Sequence, residues 1–230
     1  MNRFLLGLGS FIVGGVLAYW LVVSGMDVKP KNQHPSKMLS SAIGKPSTTP
    51  SITPQMLKDS EALMLTVAPD FAAADENGTV HKLAELVNNK PLLLVFIEKE
   101  CRSAVIEGAY LERIHKAYAD VVSIYGVINA EPAIAKKWSK DHRTSFPILT
   151  DPRFSMIKSY QVKCSTYMIL ISASKKIERA YPGYSQGLIK DLGERIARLA
   201  KVKPRTFPID DITKEPTTGV AFNIEGDVKR

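Results

Sequence analysis

The sequence predicts an α/β fold built on a mixed sheet and preceded by one membrane-spanning helix. Three observations carry this: an uncharged apolar run at the N-terminus, apolar runs of strand length alternating with helical spacing through the middle, and a polar turn between the last two runs. The chain has 230 residues, 45% hydrophobic and 23% charged. That is the balance of a folding polypeptide, not of a disordered tail or a collagen-like repeat.

From Phe4 to Met26 no residue is charged, and the segment FLLGLGSFIVGGVLAYWLVV within it is 20 residues long. At helical rise this spans the hydrocarbon layer of a bilayer. The run is longer than a usual signal-peptide core and no A-x-A cleavage site follows, so residues 1–26 are expected to stay as an anchor. Tyr19 and Trp20 suit the membrane interface. Three residues precede the run and a long polar portion follows it, the arrangement of a signal anchor. The soluble part is therefore expected on the extracytoplasmic, periplasmic side.

Residues 27–62 carry Pro30, Pro35, Pro46, Pro50 and Pro54 and the run PSTTPSITP, which predicts an extended tether. Residues 63–202 form the folded domain. Its first buried strand is Pro91–Glu98 (PLLLVFIE), followed by a helix over Ala104–Ala119. A strand at Val121–Val127, a helix at Glu131–Asp141 and a strand at Phe146–Thr150 come next. Tyr167–Ser172 and Lys176–Tyr181 are joined by the polar turn Ala173–Lys175, and a last helix covers Gln186–Ala200. The order β-α-β-α-β-β-α requires parallel crossovers at one end of the sheet and a hairpin at the other. Residues 203–230, with Pro204, Pro208 and Pro216, are a tail that either straps onto the domain or stays mobile.

Thirty-one Lys and Arg against 23 Asp and Glu leave a formal charge of +8. The basic residues do not cluster, so no nucleic-acid partner is expected. Two cysteines and four histidines without ligand spacing make no metal site, and no cofactor motif is present. His81, His115 and His142 read as surface residues, and Tyr110, Tyr118 and Tyr160 as packing. Lys190, Arg195, Arg198, Lys201 and Lys203 give the last helix a basic face, solvated or near anionic headgroups.

The domain resembles the thioredoxin-like redoxin superfamily, of the alkyl hydroperoxide reductase and thiol-specific-antioxidant type. The resemblance rests on Ala68-Pro69-Asp70-Phe71 followed by Asp75-Glu76-Asn77-Gly78, on Cys101 between the first buried strand and the first long helix, on Phe146-Pro147-Ile148-Leu149-Thr150-Asp151-Pro152, and on Tyr160-Gln161-Val162. It implies a thioredoxin-like sandwich with Cys101 at the reactive position. The chain departs from the family at several points. Ala104 stands where C-x-x-C proteins have their second cysteine. Leu94 and Glu98 replace the Pro and Thr or Ser of the peroxidase pocket, and Val105 replaces the second cysteine of copper-delivering members. Thr166 falls where the loop's cis-proline is expected, with Ser165 before it.

A helix N-terminus stabilises negative charge on a sulfur placed there, and Arg102 adds the same sign, whereas Glu98 and Glu100 oppose it. Cys164 falls in the loop that faces the active-site helix in this fold. The two thiols are then a redox couple, with Cys101 attacking and Cys164 resolving, or two buried small hydrophobes. Three functions follow from the resemblance: disulfide exchange on protein partners from a membrane anchor, a degenerate redoxin domain serving as a binding or assembly module, and a one-cysteine peroxidase.

Overall fold

The first element lies where the sequence predicts a tether. The computed structural model describes residues 50–224, and side chains throughout that range except 102–107. Within it, α1 (Pro54–Ala62) is a helix: the Thr53 hydroxyl accepts from the Met56 N–H at 3.2 Å and Pro54 opens the first turn. A proline at the first helical position gives up an amide that would have no partner there, so Pro54 starts a helix and does not extend a linker. The expected span Phe4–Met26 lies outside the described residues. Among the described residues no helix is long and apolar enough to cross a membrane.

Next comes a small antiparallel hairpin, β1 (Ala72–Ala74) and β2 (Val80–Lys82). Its turn is built by Asp75, whose carboxylate accepts from the Asn77 and Thr79 N–H groups at 2.8 and 3.0 Å, and by Gly78 at φ +88°. Asp75 also meets the His81 ring at 2.9 Å, and His81 packs edge-on against Tyr125. His81 is therefore a structural partner and not the surface residue its polar surroundings predict. The short helix α2 (Leu83–Leu86) follows.

The central sheet has the order β5-β4-β3-β6-β7. β3 (Leu92–Ile97), β4 (Ser123–Ile128) and β5 (Ile148–Thr150) run parallel, while β6 (Tyr167–Ile171) and β7 (Ile177–Tyr181) are antiparallel. β3 is buried along its whole length. Leu93, Val95 and Ile97 enter one core with Leu111, Ile114, Ile189 and Leu192, while Leu92, Leu94 and Phe96 enter the other with Ile157, Tyr160 and Ile169. Cover on both faces is why this strand reads as a continuous apolar run without alternation. β5 is shorter than predicted because Pro147 has no amide to add to the ladder.

The first core is closed by α3 (Arg102–Tyr118), α4 (Pro132–His142) and α6 (Gln186–Ala200). The second is closed by α5 (Ser155–Ser159), whose Ser155 and Ile157 N–H groups are held by the buried Asp151 carboxylate at 2.7 and 2.9 Å. Tyr118 and Tyr160 are fully buried, as packing residues should be. The two arginines of the basic face of α6 are tied to the protein itself, with Arg195 on Asp191 and Glu178, and Arg198 on Glu178.

The tail is a strap. Arg205 pairs with Asp120, and its N–H donates to the Tyr118 hydroxyl at 2.7 Å. Arg113 makes two bonds to the Asp211 carboxylate at 2.6 and 2.7 Å, and Ile212 is buried in the first core. After an exposed stretch, Thr213–Pro216, the chain re-enters and runs antiparallel along the loop before β6.

Candidate thiol site

β3 ends at Ile97, and the next four residues turn the chain into α3 with Cys101 as the N-cap residue. The turn is clamped by neighbours on both sides. The Cys101 N–H donates to the Glu98 carbonyl at 3.0 Å. The Glu98 N–H donates to the Ser165 hydroxyl at 3.0 Å, and the Lys99 N–H to Asn129 Oδ1 at 2.8 Å. The Asn129 amide donates in turn to Glu98 Oε1 at 3.3 Å, and the Glu100 N–H to Glu98 Oε2 at 2.7 Å. Ser165 and Asn129, at the ends of two flanking segments, thus hold the thiol-bearing turn in register with the sheet.

Cys101 is a free thiol and only 3% exposed. Its sulfur makes no capping bond to the helix. The Arg102 side chain, expected to favour the thiolate, lies outside the described residues. A cleft opens beside the turn, lined by Glu98, Lys99, Glu100, Asn129 and Phe154 and by Val220, Ala221 and Asn223 of the tail.

Thr166 is trans, fully buried, and sits at φ +63°. Its N–H donates to the Phe96 carbonyl at 2.9 Å, a bond proline cannot make. A β-branched residue in the left-handed region is strained, and its buried hydroxyl has no partner.

Cys164 is buried in the second core, whereas Cys101 belongs to the first. The Cys164 thiol lies 3.7 Å from the Pro182 carbonyl and accepts from the Thr218 hydroxyl at 3.0 Å. The next tail residue, Gly219, stands against the other sulfur: a Cβ placed on it would lie 2.9 Å from Cys101 Sγ. Consecutive tail residues therefore touch the two sulfurs, one each. Asn129, Thr218 and Gly219 are parts of the site that sequence reasoning misses. Nothing in an irregular, proline-containing C-terminus marks it as covering a loop more than fifty positions earlier.

A cysteine at the end of a parallel strand, capping the first long helix and facing the loop before an antiparallel strand, defines a thioredoxin-fold thiol protein. Residues 65–184 match the model of the AhpC/TSA family, and the chain belongs to that family. Solved structures agree on the fold. A hypothetical protein from Sinorhizobium meliloti is 20% identical with a TM-score of 0.55, over 69% of this chain and 92% of its own. Peroxidoxin BcpB from Mycobacterium tuberculosis is 18% identical with a TM-score of 0.53, over 61% and 97%. The thioredoxin domain of a thiol-disulfide oxidoreductase from Bacteroides vulgatus is 21% identical with a TM-score of 0.52, over 58% and 97%. A comparison with curated protein sequences returns no match.

Proposed function

We propose that the protein exchanges disulfides with protein partners through Cys101, held beside a membrane by residues 1–26 with its folded domain on the periplasmic side. The observation that carries this reading is the placement of Cys101: a free thiol at the N-terminus of α3, on a turn held rigid by Ser165 and Asn129. Helix N-terminal amides stabilise a thiolate, the form that attacks a disulfide. The Cys101 thiolate attacks one sulfur of a partner disulfide, forming a mixed disulfide and releasing the other sulfur as a thiolate. Cys164 then attacks Cys101 Sγ, forming the Cys101–Cys164 bond and releasing the partner's second thiolate. With Thr218 on one sulfur and Gly219 on the other, this second step requires the tail segment to move aside.

The burial of Cys101 favours a second reading, a binding or assembly module without turnover. Insulin reduction separates the two. Wild-type chain with a dithiol donor is expected to reduce insulin and Cys101→Ser to lose that activity, while Cys164→Ser accumulates the mixed disulfide on non-reducing gels. Equal activity of wild type and Cys101→Ser would end the exchange reading. Peroxide consumption lost with Cys101→Ser but no insulin reduction would point to a one-cysteine peroxidase. The placement is tested by protease added to intact spheroplasts, which should digest the domain; protection would reverse it.

A further inference from the structure

The stretch after the exposed Thr213–Pro216 does more than finish the chain. It pairs with the loop before β6 through backbone atoms: the Ser165 N–H donates to the Val220 carbonyl at 2.7 Å, the Gly219 N–H to the Ser165 carbonyl at 3.2 Å, and the Phe222 N–H to the Lys163 carbonyl at 3.0 Å. Thr217 exchanges two backbone bonds with Tyr184 at 2.8 and 3.0 Å. Phe222 is buried against Phe154 and anchors the far end.

Two glycines make this seat possible, one on each partner. A Cβ on Gly219 would press on Cys101 Sγ, on Ser165 Cβ at 3.0 Å and on the Ser165 carbonyl oxygen at 3.1 Å. A Cβ on Gly183 would overlap the Thr217 carbonyl oxygen and meet Thr218 Cα at 3.0 Å. Neither position needs glycine for its backbone angle, since Gly78 has the only positive φ recorded among the described glycines. What both supply is room for two backbones in contact.

We propose that residues 217–222 are a built-in gate on Cys101: they occupy, as an extended strand, the strip that a partner's extended polypeptide segment must take to reach the sulfur. The inference rests on the thiol-exchange reading for the identity of that partner. Its groove is read by backbone bonds to Lys163 and Ser165, which any extended segment can make, so the displaced strand and the incoming one compete for the same donors and acceptors. The hinge is the exposed Thr213–Pro216, and opening also breaks the bonds to residues 50–52, from the Ile52 N–H to the Pro216 carbonyl at 3.2 Å and from the Thr218 N–H to the Pro50 carbonyl at 2.8 Å. The preceding strap, pinned by Arg113–Asp211 and Arg205–Asp120, stays in place while the gate opens. Cys164 takes part by receiving the Thr218 hydroxyl when the gate is shut.

The test is the alkylation rate of Cys101 in the full chain in detergent, read by mass spectrometry of the Cys101 peptide. Gly183→Ala, which crowds the tail without touching the sulfur, and Gly219→Ala, which adds a methyl next to it, are each expected to speed alkylation at least tenfold. Phe222→Ala, which removes the anchor alone, serves should either glycine variant lose its cooperative thermal transition. A synthetic peptide of residues 216–224, which keeps Phe222 and meets the native Gly183, should reverse the faster alkylation of Phe222→Ala. Rates unchanged in all folded variants, slowed by the methyl at Gly219, or already those of an exposed thiol in wild type would overturn the gate. Insulin reduction on the same samples separates the two ideas. An opened, reactive Cys101 that exchanges no disulfide refutes the exchange reading and leaves the gate. Full exchange in wild type that opening does not increase refutes the gate and leaves the reading.

Discussion

On the α6 face, polar groups are matched to one another: the Tyr181 hydroxyl donates to Asp191 at 2.7 Å, Arg195 joins Asp191 to Glu178, and Arg198 adds to Glu178. At the end of the sheet that carries Cys101, Thr166 is held in left-handed backbone with a buried hydroxyl that has no partner. The one other such atom among the described residues is Arg179 Nε. In the first region these charged and polar groups are paired with one another. The second keeps strain that the surrounding packing must offset, and it is the place where a thiol, a clamped turn and the tail converge. Residues held in unfavourable backbone geometry persist where the neighbouring structure over-determines them, and such places cluster at functional sites.

The largest test of this contrast is Ile189→Ala. Ile189 is fully buried between α6 and the sheet, and truncation there should cost about 2–5 kcal/mol, the range for large-to-small changes in a core. Denaturant unfolding measures it, and a loss under 1 kcal/mol would mean that the α6 face is not the rigid half. At the thiol end the sign reverses. Thr166→Gly removes both the strained angle and the buried hydroxyl, and should stabilise the fold by about 1 kcal/mol after the entropy cost of glycine; a lower melting temperature would refute the assignment of strain. Tyr181→Phe should cost about 1 kcal/mol through the lost bond to Asp191.

The same contrast has a pH signature. Burial pushes the Asp191 carboxyl up, but the bonds from Arg195 and Tyr181 outweigh it and hold the group below its ordinary value. A carboxyl depressed in the folded state adds stability that is complete above its unfolded value, about 3.9, and is lost as the pH falls through the folded one. Asp151, at the thiol end, behaves oppositely: burial raises it despite its backbone bonds. Its ionisation therefore costs stability at neutral pH, and that cost fades as acid protonates it. Asp191→Asn should flatten the acid loss of stability between about pH 5 and the onset of acid unfolding. An unchanged slope would show that the network contributes nothing there.

Several elements were legible because their signals are local. The apolar run at Pro91–Glu98 reads as a buried strand by its length and contains β3, and the last helix expected over Gln186–Ala200 is α6. The turn Ala173–Lys175 correctly implied the β6–β7 hairpin. Elements held by side-chain chemistry were harder to see. The Thr53 cap turns a proline-rich linker into α1, and Asp75 organises the β1–β2 turn through three partners. At the site, Cys101, Ser165 and Thr166 were singled out by the family resemblance, not by periodicity or spacing. Asn129 was not, because an asparagine after a strand has many uses and only the approach of Lys99 and Glu98 shows which one applies.

The sequence by itself determined the alternation of buried strands and helices, and with it the parallel half of the sheet and the position of Cys101 at a helix N-terminus. Those features follow from hydrophobic periodicity and chain order, which each stretch of residues carries on its own. Only the tertiary structure decided what lies on the sulfurs. Thr218 and Gly219 meet Cys164 and Cys101 because two backbones pair across more than fifty residues of sequence, and backbone pairing leaves no mark in the side chains except the glycines that let it happen.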